Sequence, residues 1–140
     1  MRDKYEMQLR KLHAEMIEMG TMIEQAIETA IKALVAQDTE LAKKAIEADD
    51  AIDHQEREIE NLCLQLFLTQ QPVAGDMRNI SAALKMITDM ERIGDHASDI
   101  SELTLRMAGT PYIKKLEHIQ QMTKETIVML VSSIEAYVNA

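Results

Sequence analysis

Apolar residues recur at three- and four-residue steps along almost the whole chain, and three short stretches interrupt them. That pattern admits long helices and little else. Leu9, Met16, Met19, Ile23, Ala26, Ile27, Ala30, Ile31 and Leu34 hold the period from residue 4 to 36, about nine turns and roughly 50 Å of helix. Gln37-Asp38 breaks the run, and Asp38 suits the N-cap of the second helix, because its carboxylate can accept free N–H groups of that helix's first turn. A second run, 39–69, carries the stripe Leu41, Ala45, Ala48, Ile52, Ile59, Leu62, Cys63 and Leu66. Gln70-Gln71-Pro72 ends it, since proline is tolerated at a first helical position and poorly further in. A third run, 73–107, closes at Gly109-Thr110-Pro111, and a fourth spans 112–138. With one Phe, no Trp and nothing that alternates over a strand's length, the expectation is all-α. Short turns between helices of matched length predict an antiparallel three-helix bundle followed by a fourth long helix.

The 140 residues make one domain, or one and a fraction. A net charge of −9 excludes nucleic acid, whose phosphates demand a basic patch, and adhesion to an anionic membrane surface. Cys63, the single cysteine, sits in an apolar run and reads as core filler in a reducing compartment. No apolar signal segment follows the N-terminal residues, and runs such as 127–131 are far too short to span a membrane. A cytoplasmic protein is expected.

Two lines of carboxylates carry the chemistry. On the third helix Ile87, Met90, Ile93, Gly94, Ala97 and Ser101 form a narrow packing face, while Glu91, Asp95, Asp99 and Glu102 repeat at helical steps on another. On the second helix Asp49, Asp53, Glu56 and Glu60 lie beside the buried stripe, with Asp50 next door. Like charges four residues apart repel by a few tenths of a kcal/mol per pair. An unrelieved line of acids suits a hard cation with oxygen ligands; the ordinary alternative is a solvated helix face. Gly94 points to close backbone approach, since glycine in a helix interior sacrifices up to about 1 kcal/mol against alanine. His13, on the apolar side of its helix, reads as a satisfied or half-exposed histidine and His54 as a solvent-facing one, neither as a ligand.

The fourth helix repeats the first without gaps. At an offset of 103, Leu9, Met16, Met19, Ile27, Ile31 and Leu34 fall opposite Tyr112, Ile119, Met122, Leu130, Ile134 and Tyr137. A chain that restarts its pattern would need two more helices to cover that stripe. Without them, self-association through residues 112–140, most simply a two-fold homodimer, is expected, unless the helix folds back onto its own bundle.

Several motifs resemble one family. Met19-Gly20-Thr21-Met22 with Ala26-Ile27, Asp38-Thr39-Glu40-Leu41-Ala42, and Asp49-Asp50-Ala51-Ile52-Asp53 with Glu56, Ile59 and Glu60 beyond it all fit. So do Gln70-Gln71-Pro72-Val73-Ala74 with Asp76 and Arg78, and Asp89 with Glu91-Arg92-Ile93-Gly94-Asp95 and Ala97. Together they look like the PhoU family of bacterial and archaeal phosphate-uptake regulators. The resemblance implies a fold of two repeated three-helix bundles, of which residues 1–108 would be the first and 109–140 the opening helix of an incomplete second. It implies surface clusters of iron or zinc held by an acid, three residues, then Asp. That motif fits Asp49 to Asp53 and Glu91 to Asp95, and Glu56 and Asp99 extend the same faces. Asp89, Arg92 and Arg78 match the pattern without an assigned role.

The resemblance further implies a non-enzymatic regulator that contacts a phosphate ABC transporter and its sensor histidine kinase, meeting the membrane through those partners alone. Two other classes compete. A helical adaptor without metal would carry the same acids as solvated faces. A carboxylate-bridged metalloenzyme would need a Glu-x-x-His pair facing the core, and no such pair occurs on these helices.

Overall fold

A computed structural model describes residues 2–69, 74–112 and 116–139. Four helices succeed one another: α1 (Arg2–Ala36), α2 (Thr39–Thr69), α3 (Ala74–Met107) and α4 (Glu117–Val138), with no strand among the described residues. The protein is all-α. Helices α1, α2 and α3 pack against one another pairwise, and α4 lies along α1. Pro72 falls outside the described residues.

The bundle closes over one apolar seam. Leu12, Met16, Met19 and Ile23 of α1, Ile52, Ile59 and Leu66 of α2, and Ile80 and Ile87 of α3 are fully buried. Each such side chain contributes about 1.5–3 kcal/mol relative to leaving it in water. Cys63 belongs to this core, and burial, with the charge of Glu60 second, pushes its thiol up to about 11, as befits an inert filler. One polar staple ties α1 to α2: the buried Gln55 Nε2 donates to the Glu15 carbonyl at 2.9 Å and to its carboxylate at 2.6 Å.

Two residues make the turn between α1 and α2. Gln37 adopts a left-handed conformation, φ 53°, and the Asp38 N–H reaches back to the Ala33 carbonyl at 2.9 Å. Asp38 then caps α2, its Oδ1 accepting the N–H groups of Glu40 and Leu41 at 3.1 Å each. At the far end of α3, Gly109 takes φ 85° past the last helical turn.

The fourth helix begins at Glu117, five residues later than the periodicity predicts. Tyr112 lies outside it and instead donates its hydroxyl to the Leu34 carbonyl, one of the last carbonyls of α1 with no partner inside the helix. Beside it, the Gln37 side-chain amide donates to the Thr110 carbonyl. From there α4 runs antiparallel to α1. Ile134 sits over Gly20, where a side-chain methyl would collide with Ile134 Cδ1. The Tyr137 ring meets His13 edge-on at 5.2 Å, and its hydroxyl donates to the Asn79 carbonyl of α3 at 3.0 Å. The chain thus folds its last helix back: Leu130 and Ile134 are buried, while Met122 of the same stripe stays exposed.

Candidate metal centre

Where α2 meets α3, Ile52 packs on Gly94. A methyl group on Gly94 would lie 3.4 and 3.5 Å from Ile52 Cγ2 and Cδ1, ordinary contact distances, so the helices come close without requiring glycine. One residue along each helix stand Asp53 and Asp95, and Asp49 lies one turn back from Asp53 on the same face. The helix register therefore gathers acids from both lines. Asp49, Asp53 and Asp95, all half-buried, each place a carboxylate oxygen within 4.8 Å of the other two.

Electrostatics mark this seam as strained. Asp49 Oδ1 and Asp53 Oδ1 are sealed from solvent with no hydrogen-bond partner among the described residues. Buried acceptors are nearly always satisfied, so two orphaned oxygens facing one seam need a donor or a cation. Burial, then the charges of Asp53 and Asp95, pushes Asp49 up to about 6. Glu91, one turn before Asp95, is pushed up to about 8 by burial and by hydrogen bonds shared with Asp95 and Asp53. Glu56 is raised too, by burial and then by Glu60, Asp53 and Asp95, against a lowering from Arg57. Around neutral pH the cluster retains protons that a bound cation would displace.

The donor set fits a cation bound by oxygen. Three oxygens at this spacing can share one ion at the usual 2–2.6 Å metal–oxygen range, with Glu91 and Glu56 beside them. Neither neighbouring histidine joins: His54 faces Glu58 at 3.7 Å and His96 faces Asp99 at 3.8 Å, both on exposed surface. Asp99 and Glu102 are exposed as well. Each four-residue step turns about 40° further round a helix, which carries the later acids of α3 away from α2. The sequence spacing supplied both lines of acids. It held no signal for the register that sets Asp53 against Asp95, nor for the sealing of two oxygens, because both depend on how α2 and α3 meet.

Fold and site together define a helical-bundle protein with a carboxylate-lined seam between two of its helices. The PhoU domain matches residues 16–104, and the chain belongs to the PhoU family. It is 40% identical to a phosphate-specific transport system accessory protein PhoU homolog of Clostridium acetobutylicum over 96% of this chain and 62% of the relative. A second homolog, from Aquifex aeolicus, is 34% identical over 94% of this chain and 59% of its own length. The crystal structure of PhoU from Pseudomonas aeruginosa superposes with a TM-score of 0.90 at 26% identity, covering 96% of this chain and 65% of that one. The chain thus spans about three-fifths of the length of the curated relatives it matches. Those relatives are named as transport accessory proteins, not as enzymes. No described helix is long and apolar enough to cross a membrane.

Proposed function

We propose that this chain is a non-enzymatic regulator of phosphate uptake and phosphate-starvation signalling, acting in the cytoplasm by binding partner proteins. The observation that carries the reading is its identity, over nearly its whole length, to an accessory protein of phosphate-specific transport. Its partners would be a phosphate ABC transporter and the sensor histidine kinase that governs phosphate genes. The seam between α2 and α3 would hold a divalent or transition-metal ion through Asp49, Asp53 and Asp95, with Glu91 and Glu56 completing or protonating the shell. Of the iron and zinc that the family resemblance implies, the oxygen-only donors favour iron, because structural zinc prefers cysteine and histidine.

A phosphate-starvation reporter in a strain lacking the regulator tests this. Residues 1–140 are expected to restore repression in phosphate-rich medium, and Asp95→Lys to lose it while circular dichroism shows an unchanged helical content. Elemental analysis of the gently purified proteins is expected to find metal in the wild type and little in Glu91→Gln/Asp95→Asn. Equal metal in both removes the seam as its site, and no metal in the wild type leaves the adaptor without metal. A reporter indifferent to the deletion and to every variant overturns the regulatory reading.

A further inference from the structure

All the basic residues of α3 stand in one row. Arg78, Lys85, Arg92 and Arg106 fall at steps of seven residues, with Asp99 at the remaining step. The row lies opposite the buried rows of the helix, Ile80, Ile87 and Gly94 beside Ala83, Met90 and Ala97, and so forms its outermost ridge. Arg106 is accounted for by its place in the last turn, where a cation offsets the helix dipole. Arg78, Lys85 and Arg92 are exposed, and nothing described so far uses them. Asp89 stands one turn from both Lys85 and Arg92, yet none of the three cations makes an ion pair among the described residues. Asp95, three residues beyond Arg92, turns its carboxylate toward α2 and belongs to the seam.

The ground between these cations is low. Gly75, Ser81, Ala82 and Thr88 line the ridge on either side and are all exposed. Thr88 turns its hydroxyl back to the Leu84 carbonyl of its own helix at 3.1 Å. Side chains this small let a second helix approach to about 8 Å between axes, the close end of the usual range. Three unpaired cations on such a face, in a chain that carries −9, attract an acidic surface. Spacing narrows the occupant further. Seven residues of helix rise about 10 Å, so one small anion touches two of the cations only if both side chains bend toward each other. A nucleic-acid strand repeats its phosphates at about 3.4 Å, out of step with the row. A helix whose own charges recur every seven residues keeps step along all of it.

We propose that the outer ridge of α3 docks an acidic helix of a partner protein, whose carboxylates recur every seven residues and meet Arg78, Lys85 and Arg92. The partner helix lies along α3 on Gly75, Ser81, Ala82 and Thr88, and the cations reach its acids from the ridge. The assignment rests on the reading of the chain as a protein that acts by binding partners, and gives that reading a surface. It needs neither phosphate nor a metal.

Fluorescence anisotropy tests it with two labelled helical peptides of Ala, Gln and Glu, equal in composition. One carries its glutamates at seven-residue steps and the other at five-residue steps, which scatter them round the helix. Residues 1–140 should bind the first about tenfold more tightly than the second. Arg92→Glu should weaken that binding about tenfold with an unchanged circular dichroism spectrum, since the side chain is exposed. Lys32→Glu, the same change of charge at an exposed position of α1, should weaken it less than twofold. Equal affinity for the two peptides, binding of neither, or equal losses in the two variants overturns the proposal. So does displacement of the peptide by a single-stranded oligonucleotide, or by inorganic phosphate beyond the effect of chloride at the same ionic strength. The phosphate-starvation reporter separates this proposal from the functional reading on which it rests. Repression restored by Arg78→Glu/Lys85→Glu/Arg92→Glu overturns the ridge and leaves the regulator standing. In-phase binding through the ridge, with a reporter indifferent to the chain, upholds the ridge and removes the regulator.

Discussion

At Gly20 one methyl group would enter space that Ile134 already fills, whereas at Gly75 the nearest atom to an added methyl is Arg78 Nη2 at 3.9 Å. Alanine improves helix propensity at either site by up to about 1 kcal/mol. At Gly20 that gain is outweighed by overpacking, typically about 1–3 kcal/mol, moderated because the clashing atom is the tip of a side chain. Gly20→Ala is therefore expected to lose about 1 kcal/mol of stability and Gly75→Ala to gain about 0.5 kcal/mol in urea titrations. Equal shifts of the two midpoints would contradict the placement of α4. The sequence made Gly94 stand out and passed over Gly20, yet Gly20 is the position where an added methyl would collide, with Ile134 Cδ1. Its neighbour lies at the other end of the chain, beyond the reach of any local spacing. The acids divide the same way: Asp49 and Asp53 were legible as a pair, but their orphaned oxygens exist only once α3 closes over them.

The helices announce their ends by local chemistry where the cap is local. Asp38 accepts two N–H groups of the first turn of α2, and Asp38→Ala should lower stability by about 1 kcal/mol, read as a drop in melting temperature. Asp38→Asn, which keeps an acceptor oxygen, should recover most of it; equal losses for both would mean that the cap contributes nothing. Gly109 likewise marked the end of α3 and takes the left-handed conformation its position suggested. The start of α4 was misplaced because its determinant is remote. Tyr112 has the right spacing for the fourth stripe, but its hydroxyl serves the last turn of α1, so the helix waits until Glu117.

For the molecule as a whole, the acidic seam and His13 push stability in opposite directions with pH. Asp49 and Glu91 are raised from 3.8 and 4.5 to about 6 and about 8, so their contribution is fully present below pH 4 and is lost as pH rises through 6 and then 8. Burial lowers His13 from 6.5, so its neutral form favours the fold above that value and the benefit fades as pH falls below it. Metal-free protein, prepared with a chelator, should melt at a lower temperature at pH 8 than at pH 6. A divalent cation should reverse the loss at pH 8, because it binds the folded seam in place of protons. Glu91→Gln/Asp95→Asn should flatten the alkaline limb and abolish the cation response. A wild-type melting temperature indifferent to both pH and cation would show that the seam is an ordinary solvated surface.

The way α4 is held also fixes an order of events during synthesis. Helices α1, α2 and α3 are joined by short links and need nothing beyond Met107 to close their bundle. The pairing of α1 with α4 is the long-range one, and it forms against the greatest loop-closure entropy. A chain leaving the ribosome N-terminus first thus completes the seam between α2 and α3 while α4 is still inside the exit tunnel. Cation loading at that seam would precede the docking of α4 onto α1, so the acids of α2 and α3 would meet their ion before α1 acquires its fourth neighbour.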